Sequence, residues 1–321
     1  MAGGEPCPAA LLAARAAALP GALGAATRRA TLRGWQAVTM EHESTLPADA
    51  PGGLEGAHGL RGRRVLVVGA SSGIGRAVAV AAAGAGARVV LSARRTDLLA
   101  EAADAAGAAG AAGAAGAAGA TGTGAVAIPC DVSDEGACEA LVAAAARAAG
   151  GIDAVVYAAG ASPLVRLADA TETVWIGVLR SNLLGAASVL RSALGHLREA
   201  VDPAVVLLSS HSVGDPWPGL GVYAASKAAL DELARGLRAE EPWLRAVRVA
   251  VGPTLTGFAD AWDSESASRA IEEWAAAGHL RHEVQQPEYV AAVVCDVLGD
   301  PARRSDLVVI GGSAKEAPPA G

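Results

Sequence analysis

One tyrosine and one lysine of this chain are spaced as an acid/base pair on a helix. Tyr223 and Lys227 lie four residues apart in "YAASK", in a chain with three Tyr, two Lys and 24 Arg. The overlapping stretch "AASKAALDELARGL" is rich in helix formers with apolar residues at helical spacing, so both side chains would lie on one helix face. A nearby ammonium favours the phenolate, and we expect it to lower the pKa of the tyrosine from about 10 towards neutrality. The pair predicts a general acid/base; a half-buried tyrosine beside a solvated lysine is the structural alternative.

The composition of the chain is that of an acidic protein whose core is built from small side chains. It has 321 residues, a net charge of −7 and a pI of about 5.4, which argues against nucleic acid as the main partner. Hydrophobic residues make up 52% but aromatic residues only 3%, so the core must be mainly Ala, Val and Leu. Four Cys without metal spacing favour free thiols in a reduced, cytoplasmic setting, and no stretch is typical of a membrane span.

Two segments differ in composition from the rest. Residues 1–60 are Ala-rich with Pro and Gly breaks, and we expect a disordered extension there or a start assigned too early, with Met40 as the alternative start; an organelle transit peptide is the third interpretation. Residues 102–124 carry Gly at nearly every third position, which disfavours a helix and predicts a flexible insertion in a surface loop. The folded domain is therefore predicted to span residues 61–314, followed by a disordered tail at 315–321.

Short Val-rich segments alternate with helical segments from residue 61 onwards. The predicted strands are "RRVLVVGA", "RVVLSARR", "GAVAIPCDV", "IDAVVYAAG", "PAVVLLSSHS", "LRAVRVAVGP" and "SDLVVIGG". This alternation predicts an α/β domain of the Rossmann type, a doubly wound parallel sheet of about seven strands covered by helices on both faces. Sheets of this kind bind ligands at the carboxyl ends of their strands.

A glycine-rich turn follows the first predicted strand. "GASSGIG" places Gly69, Gly73 and Gly75 where that strand meets a helix. Glycines in this place let the backbone approach a pyrophosphate, which the free N–H groups at the start of the helix can bind. The turn therefore predicts a dinucleotide site, with a tight turn that binds nothing as the alternative.

The end of the second predicted strand indicates which dinucleotide is bound. An NAD site carries a carboxylate there for the ribose hydroxyls, whereas this chain has Arg94 and Arg95, with Arg76 just after the glycine-rich turn. Cations without an acid suit a 2′-phosphate, so we expect NADP in preference to NAD. Two solvated loop arginines are the alternative.

In order and spacing, these motifs resemble the short-chain dehydrogenase/reductase family over residues 64–312. The resemblance rests on "GASSGIG", "CDV" after the third strand, "AAG" after the fourth, "RSNLLGA", "SSHSVG", "YAASK" and "VGPTLTGF". It implies an enzyme that interconverts a carbonyl and a secondary alcohol of a small molecule by hydride transfer. It also implies a homodimer or homotetramer formed through long helices near residues 171–200 and 223–240.

The resemblance further implies the roles of individual residues. Tyr223 exchanges a proton with the substrate oxygen, Lys227 holds the nicotinamide ribose and lowers the pKa of the tyrosine, and Ser210 hydrogen-bonds the substrate oxygen. Asn182 lies in mid-helix, where its amide holds a water that links Lys227 to solvent. The implied cofactor contacts are Gly69, Ser71, Ser72, Gly73, Ile74, Gly75, Arg94, Arg95, Asp131, Val132, Ala159, Gly160, Tyr223, Lys227, Pro253 and Thr256.

The chain also departs from the family pattern. Val68 stands where Thr is usual, "YAAG" at residues 157–160 lacks both Asn of the usual motif, and Pro253 is followed by Thr254 where Gly is usual. These departures leave the Ser–Tyr–Lys–Asn set intact. They indicate a divergent member, whose substrate cannot be taken from a well-known relative.

Aromatic residues are concentrated after the sixth predicted strand. Phe258, Trp262 and Trp274 either line an apolar pocket or anchor this segment to the core, and the sequence does not separate these alternatives. No metal site is expected, because His279 and His282 lack a carboxylate or cysteine partner at a ligand spacing.

Two other functions share the motifs. One is a non-catalytic dinucleotide-binding regulator, and the other is a lyase or epimerase on the same fold. A regulator is expected to lose the tyrosine or the lysine, and this chain retains both. A lyase or epimerase would recycle its cofactor without net redox change.

Overall fold

Strands and helices alternate along the computed structural model, which describes residues 59–114, 125–279, 284–302 and 305–310. The strands are β1 (Arg64–Val68), β2 (Arg88–Ala93), β3 (Val126–Pro129), β4 (Ala154–Tyr157), β5 (Ala204–Ser210), β6 (Arg245–Val251) and β7 (Leu307–Ile310). The helices are α1 (Gly73–Gly84), α2 (Thr96–Ala114), α3 (Glu135–Ala149), α4 (Glu172–Leu179), α5 (Gly185–Arg198), α6 (Gly221–Glu240), α7 (Ser264–Ala276) and α8 (Pro287–Gly299). A π-turn (Arg180–Leu184) joins α4 to α5, and a 3₁₀ turn (Gly257–Ala259) precedes α7.

The strands form one parallel sheet in the order β3-β2-β1-β4-β5-β6-β7, which confirms the predicted fold class. The strand order reverses between β1 and β4, because each half of the sheet winds outwards from the centre. Val68 at the end of β1 pairs with Ser92 on one side and Tyr157 on the other. The loops that leave these three strands therefore emerge side by side at the carboxyl edge of the sheet.

The core consists of two apolar layers, one on each face of the sheet. Helices α1, α2 and α8 cover one face, and α3, α5 and α6 cover the other. Alternate strand residues enter opposite layers, as with Val65 and Val67 in the first layer and Leu66 and Val68 in the second. The buried side chains are mainly Ala, Val and Leu, as the composition predicted.

Helix α2 extends into the segment that the sequence assigned to a flexible loop. The insertion was predicted to begin at residue 102, but the helix continues to Ala114, with Ala106 and Gly110 buried. A Cβ at position 113 would collide with the backbone of Gly84 at the end of α1, so glycine there permits close approach of the two helices. Packing of small residues against α1 thus outweighs the low helix propensity of glycine. Residues 115–124 lie outside the described part of the chain.

The domain boundary predicted at residue 61 lies slightly too late. Leu60 has no exposed surface and packs in the first core layer, although the sequence assigned it to the extension. The predicted extension up to residue 58 and the predicted tail at 315–321 lie outside the described residues.

One helical run is long and apolar enough to cross a membrane, which the sequence analysis did not anticipate. It spans Glu172–Arg198 and includes α4, the π-turn and α5. Within the fold, α5 contributes Val189, Leu190 and Leu197 to the second core layer. This packing is typical of a core helix.

Candidate active site

The glycine-rich turn between β1 and α1 has no room for a side chain at Gly69 or Gly75. Gly69 has φ 89° and Gly73 has φ 54°, both in the left-handed region that favours glycine. A Cβ on Gly69 would collide with the backbone of Ala159, and a Cβ on Gly75 with the backbone of Gly69. The turn therefore holds the start of α1 directly against the loop that follows β4.

The start of α1 has the features of an anion site. The first N–H groups of a helix have no partner within it and carry the positive end of its dipole. Ser72 occupies the N-cap position without a side-chain capping hydrogen bond, and the first turn contains no acidic residue. Residues Ser71 to Ile74 thus fit the pyrophosphate of a dinucleotide.

The two arginines after β2 interact with different parts of this region. Arg95 donates hydrogen bonds to the hydroxyls of Ser71, at 3.2 Å, and Ser72. Arg94 lies within electrostatic range of Asp131, whose pKa is held below its usual value mainly by the backbone N–H of Ser133. The structure thus places one guanidinium over the glycine-rich turn and the other beside the loop after β3.

The remaining predicted cofactor contacts lie along the same edge of the sheet. Thr256 packs on the glycine-rich turn, with its Cγ2 3.0 Å from the position that a Cβ on Gly73 would occupy. Gly160 lies beside the Lys227 ammonium and the Asn182 carboxamide, since a Cβ on Gly160 would come within 4 Å of both groups. Val132 is buried after β3, and the Pro253 carbonyl accepts from the Gln285 N–H.

The hydroxyls of Tyr223 and Ser210 lie close together, and we call them the hydroxyl pair. Ser210 ends β5 and Tyr223 lies in the first turn of α6, where it is only 9% exposed. Ser210 also accepts from the N–H and hydroxyl of Ser212, at 3.1 and 3.0 Å, which fix its side chain. Burial raises the pKa of Tyr223 to about 12, although the hydrogen bond with Ser210 acts in the opposite direction.

Lys227 is buried one turn further along α6. Its Nζ donates to the carbonyl of Leu208 at 2.7 Å and lies 5.8 Å from the centroid of the Tyr223 ring. Burial lowers the pKa of Lys227 to about 8, while the charge of Asp231 raises it. The predicted placement of tyrosine and lysine on one helix face is therefore observed.

The predicted effect of the lysine on the tyrosine is not observed. We expected Lys227 to lower the pKa of Tyr223 towards neutrality, but the pKa of Tyr223 is raised. The reason is burial of the phenol, which disfavours the phenolate, combined with a lysine that is hydrogen-bonded to Leu208 and not to the phenol.

Asn182 lies in the π-turn, in the middle of the run from α4 to α5, as predicted. Its Oδ1 accepts from Ala161 N–H at 2.7 Å and from the Ser181 hydroxyl at 2.8 Å. Its Nδ2 donates to the Ala161 carbonyl at 3.0 Å and to the Ser226 hydroxyl at 2.9 Å. These four bonds occupy both donor and both acceptor sites of the side-chain amide. The amide therefore has no site left for the water that was expected to link Lys227 to solvent. Asn182 instead joins the π-turn to the loop after β4 and to α6.

Tyr157 is hydrogen-bonded to the π-turn. It is fully buried at the end of β4, and its hydroxyl donates to the Ser181 carbonyl at 2.5 Å. Gly185 leaves room for this hydroxyl, since a Cβ there would lie 2.6 Å from it. The tyrosine that replaces a family asparagine thus braces the turn that carries Asn182.

Sequence reasoning missed three polar groups of the site. Ser226 connects Asn182 to the Tyr223 carbonyl, to which its hydroxyl donates at 2.7 Å. Asp231 is 6% exposed and lies four residues after Lys227, a helical spacing that could have identified it. The Leu208 carbonyl, a backbone group, leaves no signal in the sequence.

Comparisons with known proteins identify the family of this chain. The family model described as short chain dehydrogenase matches residues 63–267. Glycine betaine reductase of Emericella nidulans is 32% identical over 245 residues, which cover 72% of this chain but only 18% of that protein. Dehydrogenase/reductase SDR family member 4 of Sus scrofa is 30% identical and is matched over 95% of its length by 88% of this chain.

Solved structures share the fold. An alcohol dehydrogenase from Thermococcus sibiricus, complexed with 5-hydroxy-NADP, superposes with a TM-score of 0.64 at 22% identity, over 78% of this chain and 96% of that one. The family match covers the strands and helices that carry the glycine-rich turn, Asn182, Ser210, Tyr223 and Lys227. The chain therefore belongs to the short-chain dehydrogenase/reductase family and is an oxidoreductase that acts on CH–OH groups.

Proposed function

We propose that this protein is an NADP(H)-dependent oxidoreductase that interconverts a carbonyl and a secondary alcohol, with Tyr223 as general acid/base. The observation that carries the proposal is the adjacent hydroxyl pair of half-buried Ser210 and buried Tyr223, with the Lys227 ammonium one helical turn away. The pair lies at the edge of the sheet where the glycine-rich turn fits a dinucleotide. A carbonyl oxygen that reached the pair would meet two hydroxyl groups held in place by the fold.

The protonation states of these groups suit proton transfer. Bound nicotinamide would supply or accept the hydride at this edge of the sheet. With a pKa of about 12, Tyr223 is protonated at neutral pH and can donate to a carbonyl oxygen. Lys227, with a pKa of about 8, is mostly cationic at pH 7 and would stabilise the phenolate that the donation leaves. Because Ser210 Oγ already accepts from the N–H and the hydroxyl of Ser212, its single proton can be donated either to the phenol oxygen or to a substrate oxygen.

The position of Arg95 supports NADP over NAD. Its guanidinium lies over the glycine-rich turn, held by the hydroxyls of Ser71 and Ser72. An arginine fork matches the geometry of a phosphate, and it offers nothing specific to a free ribose hydroxyl.

Cofactor titration tests this preference. Quenching or enhancement of nicotinamide fluorescence would be measured with NADPH and NADH on the full chain, Arg95→Ala and Arg88→Ala. Arg88 is also exposed but lies at the amino end of β2, so it is a matched control. We expect Arg95→Ala to weaken NADPH binding at least tenfold without changing NADH binding, and Arg88→Ala to change neither. Tighter binding of NADH by the unmodified protein would refute the preference.

Turnover on a panel of ketones and aldehydes tests the reaction itself. Oxidation of NADPH that disappears in Tyr223→Phe supports the proposal. Cofactor binding without turnover of any carbonyl or alcohol would contradict it and favour a regulator. A converted substrate without net cofactor oxidation would favour a lyase or epimerase.

We also propose a homo-oligomer in the cytoplasm. Ile176 and Leu184 are 42% and 54% exposed on the run that the resemblance assigns to subunit contacts. The described cysteines Cys130, Cys138 and Cys295 are free, which suits a reducing compartment. Light scattering on the full chain should give a dimer or tetramer, and Leu184→Glu should shift it towards monomer. A wild-type monomer would contradict the assembly.

A further inference from the structure

Aromatic rings form a continuous row that begins at Tyr223, which we call the aromatic row. Its members are Tyr223, Phe258, Trp262, Trp274 and Trp217. The Phe258 ring meets Tyr223 edge to face at 5.2 Å between centroids and meets Trp262 at 5.4 Å. In a chain with only 3% aromatic residues, five of them lie together beside the proposed acid/base.

Two of the three tryptophans in this row, Trp262 and Trp274, are buried and hydrogen-bonded. Trp262 is 7% exposed and its indole N–H donates to the Ser162 carbonyl at 2.6 Å. Trp274 is 2% exposed and donates to the Pro218 carbonyl at 2.8 Å. The sequence left open whether these tryptophans line an apolar pocket or anchor the segment after β6 to the core. Their burial and hydrogen bonds favour the anchor. Because their polar atoms already have partners, they present only hydrocarbon to their neighbours.

Phe258 differs from the tryptophans because it remains 38% exposed. It lies in the 3₁₀ turn Gly257–Ala259, and its carbonyl accepts from the Ser162 hydroxyl at 3.0 Å. The backbone is thereby tied to the loop after β4 while the ring keeps one free side. The ring contacts Tyr223 on one side and Trp262 on another.

The phenol of Tyr223 is almost completely covered, so a carbonyl can reach it only past its neighbours. Besides Phe258, the apolar group around Tyr223 includes Leu220 and Ala259. Because the Phe258 ring contacts Tyr223 and is partly exposed, it offers a surface for one substituent of a substrate whose carbonyl lies at the Ser210–Tyr223 pair. That surface is apolar and flat, and it is backed by the Trp262 ring, whose indole N–H is hydrogen-bonded to the Ser162 carbonyl.

We propose that Phe258 determines substrate specificity and selects carbonyl compounds with a flat apolar substituent, an aryl group above all, over those with a charged substituent. This inference rests on the proposed function and names its substrate class. An aryl substituent gains binding free energy from edge-to-face or stacked contact with Phe258 and from removal of its apolar surface from water. A carboxylate in the same place would lose its hydration without gaining a partner from the row.

A matched pair of methyl ketones tests the inference. Benzylacetone and levulinate share the same ketone chain and end in a phenyl ring and a carboxylate, respectively. We expect kcat/KM to favour benzylacetone at least tenfold in the unmodified protein. Phe258→Ala should reduce that ratio about tenfold, and Phe258→Leu about threefold, since leucine keeps the apolar contact but not the flat face.

Tyr289→Ala is the matched control, because Tyr289 is 39% exposed and lies on α8 outside the aromatic row. It should leave the ratio unchanged. A preference for levulinate, or an unchanged ratio in Phe258→Ala, would overturn the inference even though turnover supports the proposed function.

A binding measurement separates the two proposals if neither ketone is turned over. Tryptophan fluorescence would then be recorded with each ketone in the presence of saturating NADP. A change caused by benzylacetone but not by levulinate, and weakened in Phe258→Ala, would support the specificity while the proposed reaction fails. Equal changes with both ketones, or none with either, would overturn the inference.

Discussion

At the amino ends of the strands, buried charges form ion pairs, whereas the buried charge at the carboxyl ends, Lys227, has a backbone carbonyl as its hydrogen-bond partner. Asp202, just before β5, accepts from Arg63 and from Arg245, both at 2.8 Å. Both arginines also donate to the Leu298 carbonyl near the end of α8. Burial acts to raise the pKa of Asp202, but the two arginines outweigh it and hold that pKa below its usual value.

At the carboxyl ends, burial is the main cause of the shifted pKa values of Lys227 and Tyr223. Lys227 has a carbonyl as its hydrogen-bond partner, and burial shifts the pKa of Lys227 downwards and that of Tyr223 upwards. Within the described part of the chain, the buried hydroxyls of Ser92 and Ser209, at the ends of β2 and β5, have no hydrogen-bond partner. One edge of the sheet thus stabilises the fold, and the other holds groups in states suited to proton transfer.

The largest test of this contrast between the two edges of the sheet is a substitution of Tyr223, which should affect activity far more than stability. We expect Tyr223→Phe to lower kcat/KM about a thousandfold, equivalent to roughly 4 kcal/mol of activation free energy, because the proton donor is lost. The free energy of unfolding should change by less than about 1 kcal/mol. Steady-state kinetics and urea unfolding measure both, and a variant with full activity would remove Tyr223 from the chemistry.

At the amino ends of the strands, Asp202→Ala should lower the stability of the protein and leave its activity nearly unchanged. It leaves Arg245, only 4% exposed, without its carboxylate, so we expect the free energy of unfolding to fall by about 3 kcal/mol. Kinetic constants of the protein that remains folded should stay within about twofold. Glu265→Ala is the control, because it breaks an exposed pair with Arg269 and should cost less than about 0.5 kcal/mol. Equal losses in the two variants would contradict the assigned role of Asp202.

Removal of the buried ammonium should stabilise the protein. The pKa of Lys227 falls from 10.5 to about 8 on folding, so between these pH values the unfolded chain binds more protons at this lysine. The free energy of unfolding contributed by Lys227 therefore rises as the pH increases from about 8 to 10.5. Lys227→Met should raise the free energy of unfolding at pH 7 by about 1–2 kcal/mol, after the loss of the hydrogen bond to Leu208.

The same variant should lose that pH dependence. Unfolding would be measured at pH 7 and pH 10 for both proteins, and the gain of Lys227→Met should shrink at the higher pH. A gain that is independent of pH would show that the ammonium is not the cause.

The smallest expected effect is at Tyr157. Tyr157→Phe removes the hydrogen bond to the Ser181 carbonyl, so we expect a loss of about 1 kcal/mol in unfolding free energy. The kcat should fall two- to fivefold with little change in the KM for cofactor, since the π-turn beneath Asn182 loosens. Tyr289→Phe is the control for an exposed tyrosine. Equal kcat values for Tyr157→Phe and the unmodified protein would limit Tyr157 to a role in stability.

The features that the sequence predicted correctly are those set by local patterns. Val-rich runs and glycines at strand ends fix the strands and the turn before α1, and the four-residue spacing fixes Tyr223 and Lys227 on one face of α6. The positions of the family motifs follow from the order of the strands, because parallel strands bring their carboxyl ends to one edge.

The features that escaped prediction depend on distant partners. The raised pKa of Tyr223 follows from burial, which no local pattern reports. The indole N–H of Trp262 is held by a carbonyl 100 residues away, and that of Trp274 by one 56 residues away. Helix α2 forms against its own propensity because α1 accepts its small residues.

Helix α2 has a consequence for variation in the length of the chain. Residues 105–119 are five consecutive Ala-Ala-Gly units, the kind of tract in which whole repeats are gained or lost during replication of the gene. Helix α2 ends at Ala114, within the fourth unit. Loss or gain of one unit leaves the residue at every position up to 114 unchanged, so the small residues still meet α1 in the same register. Repeat-number variants should therefore fold with the same helix packing and differ only beyond it.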